Sequence, residues 1–157
     1  MLKNKTVKTI LIIMGIGILI AGGVGYYMFN MPHRDVQATS ADYQLSAKEI
    51  VGEYLNNSAA ANEKYLDEEG ESKVLVITGK IASISTDFND QKVILLKDAS
   101  DKAGVNCTFL PGDNIQLNKG DVISVKGVIR SGASYDEDLE MYENVILEKC
   151  SIVNNKS

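Results

Sequence analysis

The stretch that decides the fold is VLVITGKIASIS, residues 74–85, in which β-branched and other apolar residues recur around Gly79. This composition and two-residue spacing are typical of a β-strand with one buried face. A glycine inside such a strand often marks a bend or a bulge. The sequence therefore predicts a long and strongly curved strand.

Four shorter stretches of the same kind follow, separated by clusters of Gly, Asn and Asp. The connector between the third and fourth strands contains Pro111 and Gly112 and leaves room for one short helical turn. Five strands in about 80 residues, with glycines inside the longest ones, predict a mainly β protein with a five-stranded Greek-key barrel of OB type. A β-sandwich usually needs about seven strands. The further strands are predicted at residues 92–97, 104–109, 121–130 and 144–153.

An amphipathic helix is predicted in front of the barrel. Ser46 and Glu49 have the spacing of a capping box at its start, and the acidic residues 67–71 end it. One apolar face, which must cover the barrel, extends to about Leu66. This face consists of Ile50, Val51, Tyr54, Leu55, Ala59, Ala61 and Tyr65.

The chain begins with a predicted membrane anchor. Residues 10–29 carry no charge, and 20 residues at roughly 1.5 Å each span the roughly 30 Å core of a bilayer. Three lysines precede the segment and aromatic residues close it, which predicts a single-pass protein with its C-terminal domain outside the cytoplasm. The predicted division is a cytoplasmic tip at 1–9, a transmembrane signal anchor at 10–29, a tether at 30–44 and the OB-fold-like domain at 45–154.

A cleaved signal peptide is the alternative to an anchor. Its apolar stretch is usually about 7–15 residues and precedes a small-residue cleavage site, whereas here the first small-residue cluster, residues 38–41, is distant. The anchor is therefore favoured. Gly17, Ala21 and Gly25 form a stripe through which two such helices could pack as a homodimer, although glycine is also simply common in membrane helices.

Charge and residue types argue against several functions. All 21 acidic residues follow position 30, against 13 basic ones, so this part has a net charge of −8 and nucleic-acid binding is disfavoured. The single histidine, His33, lies beside the membrane segment, which leaves the domain without a Ser-His or Cys-His pair. No zinc-ligand spacing is present. We therefore expect no enzymatic activity, no metal and no cofactor.

The two cysteines fall on the third and fifth predicted strands, which approach each other in an OB barrel. Cys107 and Cys150 are either a disulfide, which an oxidising compartment would permit, or two small buried hydrophobic side chains. The sequence leaves both alternatives open.

The candidate ligand-binding residues are aromatic rings in the loops after the first and fourth strands, where OB folds bind ligands. They are Phe88, Tyr135 and Tyr142, and acidic residues including Asp136 and Asp138 surround them. Rings framed by carboxylates fit a peptide, a basic partner or a sugar better than a phosphate backbone. The alternative is that the rings cover the barrel ends and the acids solubilise a loop. The alternation Asp136-x-Asp138-x-Glu140 is a weak Ca²⁺ pattern without the glycine and distal glutamate of an EF-hand.

Several short motifs carry a family resemblance that covers roughly residues 46–153. In these motifs the chain resembles the bacterial tRNA_anti-like family. The resemblance implies an OB fold and an envelope-anchored protein. Many relatives look like lipoproteins, whereas this chain has a membrane helix and no cysteine after it. The family name reflects anticodon-binding OB domains, which concerns the fold and not tRNA binding. The motifs are residues 62–65 (NEKY), 75–81 (LVITGKI), 105–109 (VNCTF), 119–127 (KGDVISVKG) and 145–153 (VILEKCSIV).

The leading expectation is a non-enzymatic binding module on the periplasmic side of the bacterial inner membrane, engaging an envelope protein or a small envelope ligand. Single-stranded nucleic-acid binding is the alternative, because basic residues lie on or beside the strands. A structural role as a helix-linked dimer, or cation binding, is a third. The basic residues are Lys80, Lys92, Lys97, Lys126 and Arg130.

Overall fold

The computed structural model describes residues 4–30, 34–112 and 116–153. Contacts divide the chain into two units, Met1–Asp35 and Val36–Ser157. The first unit holds helix α1 (Asn4–Phe29). An 18-residue window within Lys5–Phe29 has a mean hydropathy of 2.2, and this segment is long and apolar enough to cross a membrane. Gly17, Ala21 and Gly25 lie along this helix, and dimerisation through them stays a prediction.

The second unit is a closed barrel of the five predicted strands, so the mainly β, OB-type fold is confirmed. Its strands are β2 (Val74–Thr86), β3 (Lys92–Leu96), β4 (Val105–Phe109), β5 (Val122–Ser131) and β8 (Val145–Ile152). Four of the five pairings in the barrel are antiparallel, and only β4 with β8 is parallel. Pairing of β2 with β5 closes the barrel after the order β2, β3, β4, β8, β5.

The barrel strands are irregular near their internal glycines, as predicted. The pairing of β5 with β8 shifts register around Gly127, where a Cβ atom would lie 2.6 Å from Sγ of Cys150. In β2 the register shift falls beyond Gly79, between Ile81 and Ser83. The missing side chain of Gly79 lets Ala47 pack closely against β2, because a Cβ atom at Gly79 would lie 3.1 Å from Cβ of Ala47.

Three short strands were not predicted. Strand β1 (Tyr43–Ser46) pairs in parallel with the first half of β2. Strands β6 (Ser134–Asp136) and β7 (Met141–Glu143) form a separate hairpin in the loop between β5 and β8. Each has only three or four residues and a mostly exposed surface, so none has the buried alternation that reveals a strand in a sequence.

The predicted helix is wrong as one continuous element. It is divided into α2 (Ala47–Asn56) and α3 (Ser58–Tyr65) at Asn57, whose side-chain oxygen accepts a hydrogen bond of 3.1 Å from the amide of Ala60. The start of α2 is as predicted, with Ser46 and Glu49 forming the capping box. Asparagine competes with the helical backbone through its own side chain, which favours a break of this kind.

The two helices cover the barrel with most of the predicted face. Ile50, Val51, Tyr54, Ala61 and Tyr65 are all buried. The predictions for the other two members were wrong: Leu55 is 37% exposed and Ala59 is exposed. The break at Asn57 changes the direction of the face, so residues on either side of it no longer follow one helical period.

Helices α2 and α3 are joined by a polar contact at the surface. The Lys64 ammonium lies 3.0 Å from Oε2 of Glu53, and the hydroxyl of Tyr65 donates to the same carboxylate at 2.8 Å. Lys64 also lies over the rings of Tyr43 and Tyr65. The cluster therefore holds α3 against both α2 and β1.

The predicted tether at 30–44 is in part attached to the barrel. Val36 is buried, and the carbonyl of Gln37 accepts a 3.0 Å hydrogen bond from the ammonium of Lys126. The side chain of Gln37 also donates to the carbonyl of Lys149 and bonds the hydroxyl of Ser151. Tyr43 already belongs to β1. Residues 31–33 of the tether, which include His33, and part of the predicted helical turn before β5 lie outside the described residues.

Candidate ligand-binding groove

Phe88 lies at the tip of the turn between β2 and β3. Oδ1 of Asp87 accepts hydrogen bonds from the amides of Asn89 (2.8 Å) and Gln91 (2.9 Å), and Asp90 has a φ of 58°. These interactions shape the turn and leave the ring of Phe88 entirely in solvent. Asp87 therefore has a structural role in the turn.

Tyr135 and Tyr142 face each other across the β6–β7 hairpin. They are paired in register, and their ring centroids are 4.8 Å apart. The ammonium of Lys102 lies 5.5 Å from the centre of the Tyr142 ring. This pair is the aromatic contact typical of a short antiparallel ribbon, and it leaves Tyr135 49% exposed.

The structure separates Phe88 from the two tyrosines, which the sequence had placed at one end of the barrel. The Phe88 turn lies at the end of β4, where the side chain of Gln91 donates to the carbonyl of Phe109. The hairpin lies at its beginning, where the amide of Gly104 donates to Oδ1 of Asn144. Four residue steps at roughly 3.3 Å put about 13 Å between these ends. The two loops therefore lie at opposite ends of β4, and ligand binding by the three rings stays a prediction.

A groove of about 660 Å³ runs beside the hairpin, between the helix pair and strands β4 and β8. We call it the hairpin groove. Its polar lining consists of hydroxyl and amide groups with a single carboxylate, that of Glu143, and Tyr142 supplies an aromatic wall. Ser134 donates a 2.6 Å hydrogen bond to Glu143, which fixes the carboxylate at the rim. The other polar members are Tyr54, Ser58, Asn62, Asn106, Ser131 and Asn144.

Tyr54 forms the part of the groove that reaches farthest into the core. The residue is 2% exposed, and its hydroxyl has no hydrogen-bond partner among the described residues. Burial, followed by the nearby Tyr65 and Glu53, raises the pKa of Tyr54 to about 12. A buried hydroxyl is normally hydrogen-bonded, so this one is a group that a bound molecule could satisfy after a small adjustment.

Gly132 makes room for the Tyr54 ring. A Cβ atom at this position would lie 1.9 Å from a ring carbon of Tyr54. The glycine follows β5 directly and lines the groove, so only a residue without a side chain lets the loop cross the ring here.

Residues 1–139 of the chain match the model of the tRNA_anti-like family. The matched stretch includes α1, the helix pair and strands β1 to β6. The chain belongs to the tRNA_anti-like family. The resemblance seen in the sequence is thereby confirmed, and so is the OB-type fold that it implied.

Other comparisons add little to the tRNA_anti-like assignment. None of the curated proteins compared with the chain matches it significantly. Twelve chains of known structure match, among them OBody NL8 bound to hen egg-white lysozyme. That chain is 20% identical, the match covers 54% of the present chain and 99% of the other, and the TM-score is 0.33.

In this tRNA_anti-like protein, acidic residues of the hairpin shape the turn between β6 and β7. Oδ1 of Asp136 accepts hydrogen bonds from the amides of Asp138 (2.9 Å) and Leu139 (3.0 Å), and Glu140 has a φ of 52°. Within residues 4–30, 34–112 and 116–153 there is no group of three or more His, Cys, Asp or Glu that could hold a metal ion. Asp136 is therefore a turn-forming residue, and Asp138 lies on the exposed tip.

The two cysteines are free thiols, both fully buried. Register places Cys107 opposite Leu147 and Cys150 opposite Phe109, so the cysteines are near each other but not directly paired. Burial, followed by the neighbouring thiol of Cys107, raises the pKa of Cys150 well above its usual range. The two thiols are unbridged in the structure, and a disulfide in an oxidising compartment stays a prediction.

Few features of the sequence indicate the groove. Tyr54 reads as an ordinary core residue, and Asn106 and Asn144 look like polar strand and loop positions. One signal was available: Gly132 follows a strand directly, and a glycine there often marks a close approach of backbone and side chain. The groove residues come together only through the barrel closure.

Proposed function

We propose that the protein is a non-enzymatic binding module, anchored by α1 in the bacterial inner membrane, with its OB-fold domain on the periplasmic side. The apolar helix preceded by lysines supports the anchor and its orientation. The domain offers a groove lined by hydroxyl and amide groups with one carboxylate, and residues 45–154 contain no histidine, which supports binding rather than catalysis.

The ligand that fits the hairpin groove best is an extended segment of an envelope protein. The observation that carries this is the lining itself, in which hydroxyl and amide groups from six elements or loops surround the ring of Tyr142. Amides and hydroxyls match the donors and acceptors of a peptide backbone, and Tyr142 offers an apolar face. The exposed acidic tip of the hairpin favours a segment with basic residues.

Comparative crosslinking tests this proposal in native membranes. The full-length protein, Tyr142→Ala and Phe88→Ala are each crosslinked, solubilised and captured for mass spectrometry. Both substitutions remove one aromatic ring, but only Tyr142 lines the groove. We expect at least one crosslinked envelope protein to be lost in Tyr142→Ala and retained in Phe88→Ala. Identical recovery with all three chains would overturn the groove as the binding site.

A small saccharide is the alternative ligand of the same groove, because sugars also bind through amides and one aromatic ring. It is distinguished by titrating cell-wall oligosaccharides against the full-length protein and following its thermal unfolding. A rise in melting temperature that disappears in Tyr142→Ala, with no crosslinked protein, would replace the peptide by a sugar.

A further inference from the structure

A second groove, formed where β2 and the end of β3 meet the turn before β5, is lined by three lysines. Its volume is about 600 Å³, and its floor is formed by Ile81 and Ala82. We call it the lysine groove. It is separate from the hairpin groove, with which it shares no lining residue. The three lysines are Lys80, Lys97 and Lys119.

The backbone brings these lysines together from three distant parts of the chain. The amide of Lys97 donates a 2.9 Å hydrogen bond to the carbonyl of Lys80, which joins β2 to the end of β3. The amide of Gly120 donates a 2.8 Å bond to the carbonyl of Ile81, which fixes the turn that carries Lys119. Gly120 has a φ of 98°, so this turn conformation favours glycine. The convergence is therefore built into the barrel and does not depend on flexible side chains alone.

Within the part of the chain that the structure describes, the ammonium groups in the groove are not neutralised by ion pairs. Among the described residues, none of the three lysines forms a salt bridge; Lys97 only donates to the carbonyl of Lys102 at 3.4 Å. Asp98 contributes the single carboxylate among the described lining residues, so these residues together have a formal charge of +2. Asp101 and Asp121 lie nearby, and each carboxylate accepts from a backbone amide of its own turn.

The lining of this groove is positively charged, whereas the surrounding domain is strongly acidic. Between positions 36 and 153 the chain has 20 acidic and 11 basic residues, a net charge of −9. A long polyanion would have to extend from the groove over this acidic surface, whereas a compact anion would meet three lysines and the one carboxylate of Asp98. Three lysines on one small concave surface match the charge of a phosphate group.

We propose that the lysine groove binds a compact phosphate group, as a free mono- or diphosphate or as the phosphate of a lipid headgroup. Its volume accommodates a diphosphate with a small substituent. The ligand would contact Lys80, Lys97 and Lys119 and rest on the apolar floor. This site acts independently of the peptide ligand proposed for the hairpin groove.

Calorimetric titration of the full-length protein in neutral detergent at low ionic strength tests the proposal. The probes are inorganic phosphate, pyrophosphate, glycerophosphoglycerol as a soluble lipid headgroup, and a ten-residue oligothymidylate. The test variant is Lys80→Gln/Lys119→Gln, which spares the half-buried Lys97. The control is Lys48→Gln/Lys73→Gln, which makes the same charge change at two exposed lysines that do not line the groove.

We expect pyrophosphate or glycerophosphoglycerol to bind, and the test variant to weaken the affinity by about tenfold or more while the control changes it less than about twofold. Tighter binding of pyrophosphate than of glycerophosphoglycerol identifies a free phosphate as the source, and the reverse identifies the lipid headgroup. Failure of all three small probes to bind, or equal weakening in the control, would overturn the site. Binding of the oligothymidylate alone would replace the compact ligand by single-stranded nucleic acid.

Discussion

At the scale of single residues, Gly132 is the most constrained position of the hairpin groove. Replacing it with alanine would put a methyl group 1.9 Å from the Tyr54 ring, so either the ring or the loop must move. We expect Gly132→Ala to lower the free energy of unfolding by about 1–3 kcal/mol, as overpacking of a core does. Urea unfolding of the full-length protein in detergent measures this.

Gly52 provides the matched control for that substitution. It lies in α2, and nothing is within 4 Å of a Cβ atom placed on it. Alanine is the better helix former by about 0.5–1 kcal/mol, so Gly52→Ala should leave the protein unchanged or stabilise it. If both variants lost stability equally, contact with Tyr54 would not be the cause.

The unpaired hydroxyl of Tyr54 predicts a specific response to alkaline pH. The pKa of this group is about 12 in the folded protein and about 10 in the unfolded chain, because burial disfavours the phenolate. The stabilisation that results from this difference in pKa is therefore fully present below pH 10 and is lost as the pH rises from 10 to 12. Burial also raises the pKa of Tyr65.

Tyr54→Phe removes one of these two titrations together with the unpaired hydroxyl. We expect the variant to be as stable as the wild type or more stable at pH 8, since no hydrogen bond is lost. Between pH 10 and 11 its stability should fall less steeply than that of the wild type. Urea midpoints at pH 8, 10 and 11 measure both effects, and parallel curves for the two proteins would show that Tyr54 ionises normally.

At the scale of elements, the start of α2 depends on the reciprocal bonds of its capping box. The hydroxyl of Ser46 accepts from the amide of Glu49 at 3.2 Å, and the carboxylate of Glu49 accepts from the amide of Ser46 at 2.7 Å. Ser46→Ala should cost about 1 kcal/mol, whereas Ser46→Thr should cost much less. The difference appears as a shift of the thermal unfolding midpoint. Equal midpoints for alanine and threonine would mean that the cap does not stabilise the domain.

The elements differ in how far their sequences reveal them. The five barrel strands were predictable because they are rich in β-branched and other apolar residues, and β4 also alternates buried with less buried positions around Cys107. The division of the helix at Asn57 was not, since apolar residues continue at helical spacing on both sides and only the cap geometry shows the break. The hairpin groove was not predictable either, because Tyr54, Asn106 and Asn144 meet only after the barrel closes.

At the scale of the whole molecule, the orientation of the barrel relative to the membrane decides which ligands it can meet. The lysines before α1 predict a periplasmic barrel. Thiol labelling can report on which side of the membrane the barrel lies, because the two native cysteines are protected from reagents. Cys107 and Cys150 are 0% exposed, and the raised pKa of Cys150 keeps its thiol protonated. A cysteine introduced at the exposed Asn89 would therefore be the only reactive one on the barrel.

We expect Asn89→Cys to react with a membrane-impermeant maleimide in cells whose outer membrane has been made permeable and whose inner membrane is intact. Thr6→Cys, at the other end of the anchor, should react only after the inner membrane is disrupted. Both positions are exposed, so the difference between them reports the side of the membrane and not burial. Labelling of Thr6→Cys in intact cells with Asn89→Cys protected would place the barrel in the cytoplasm. In that case an envelope protein could not reach the hairpin groove, whereas cytoplasmic phosphates could still reach the lysine groove.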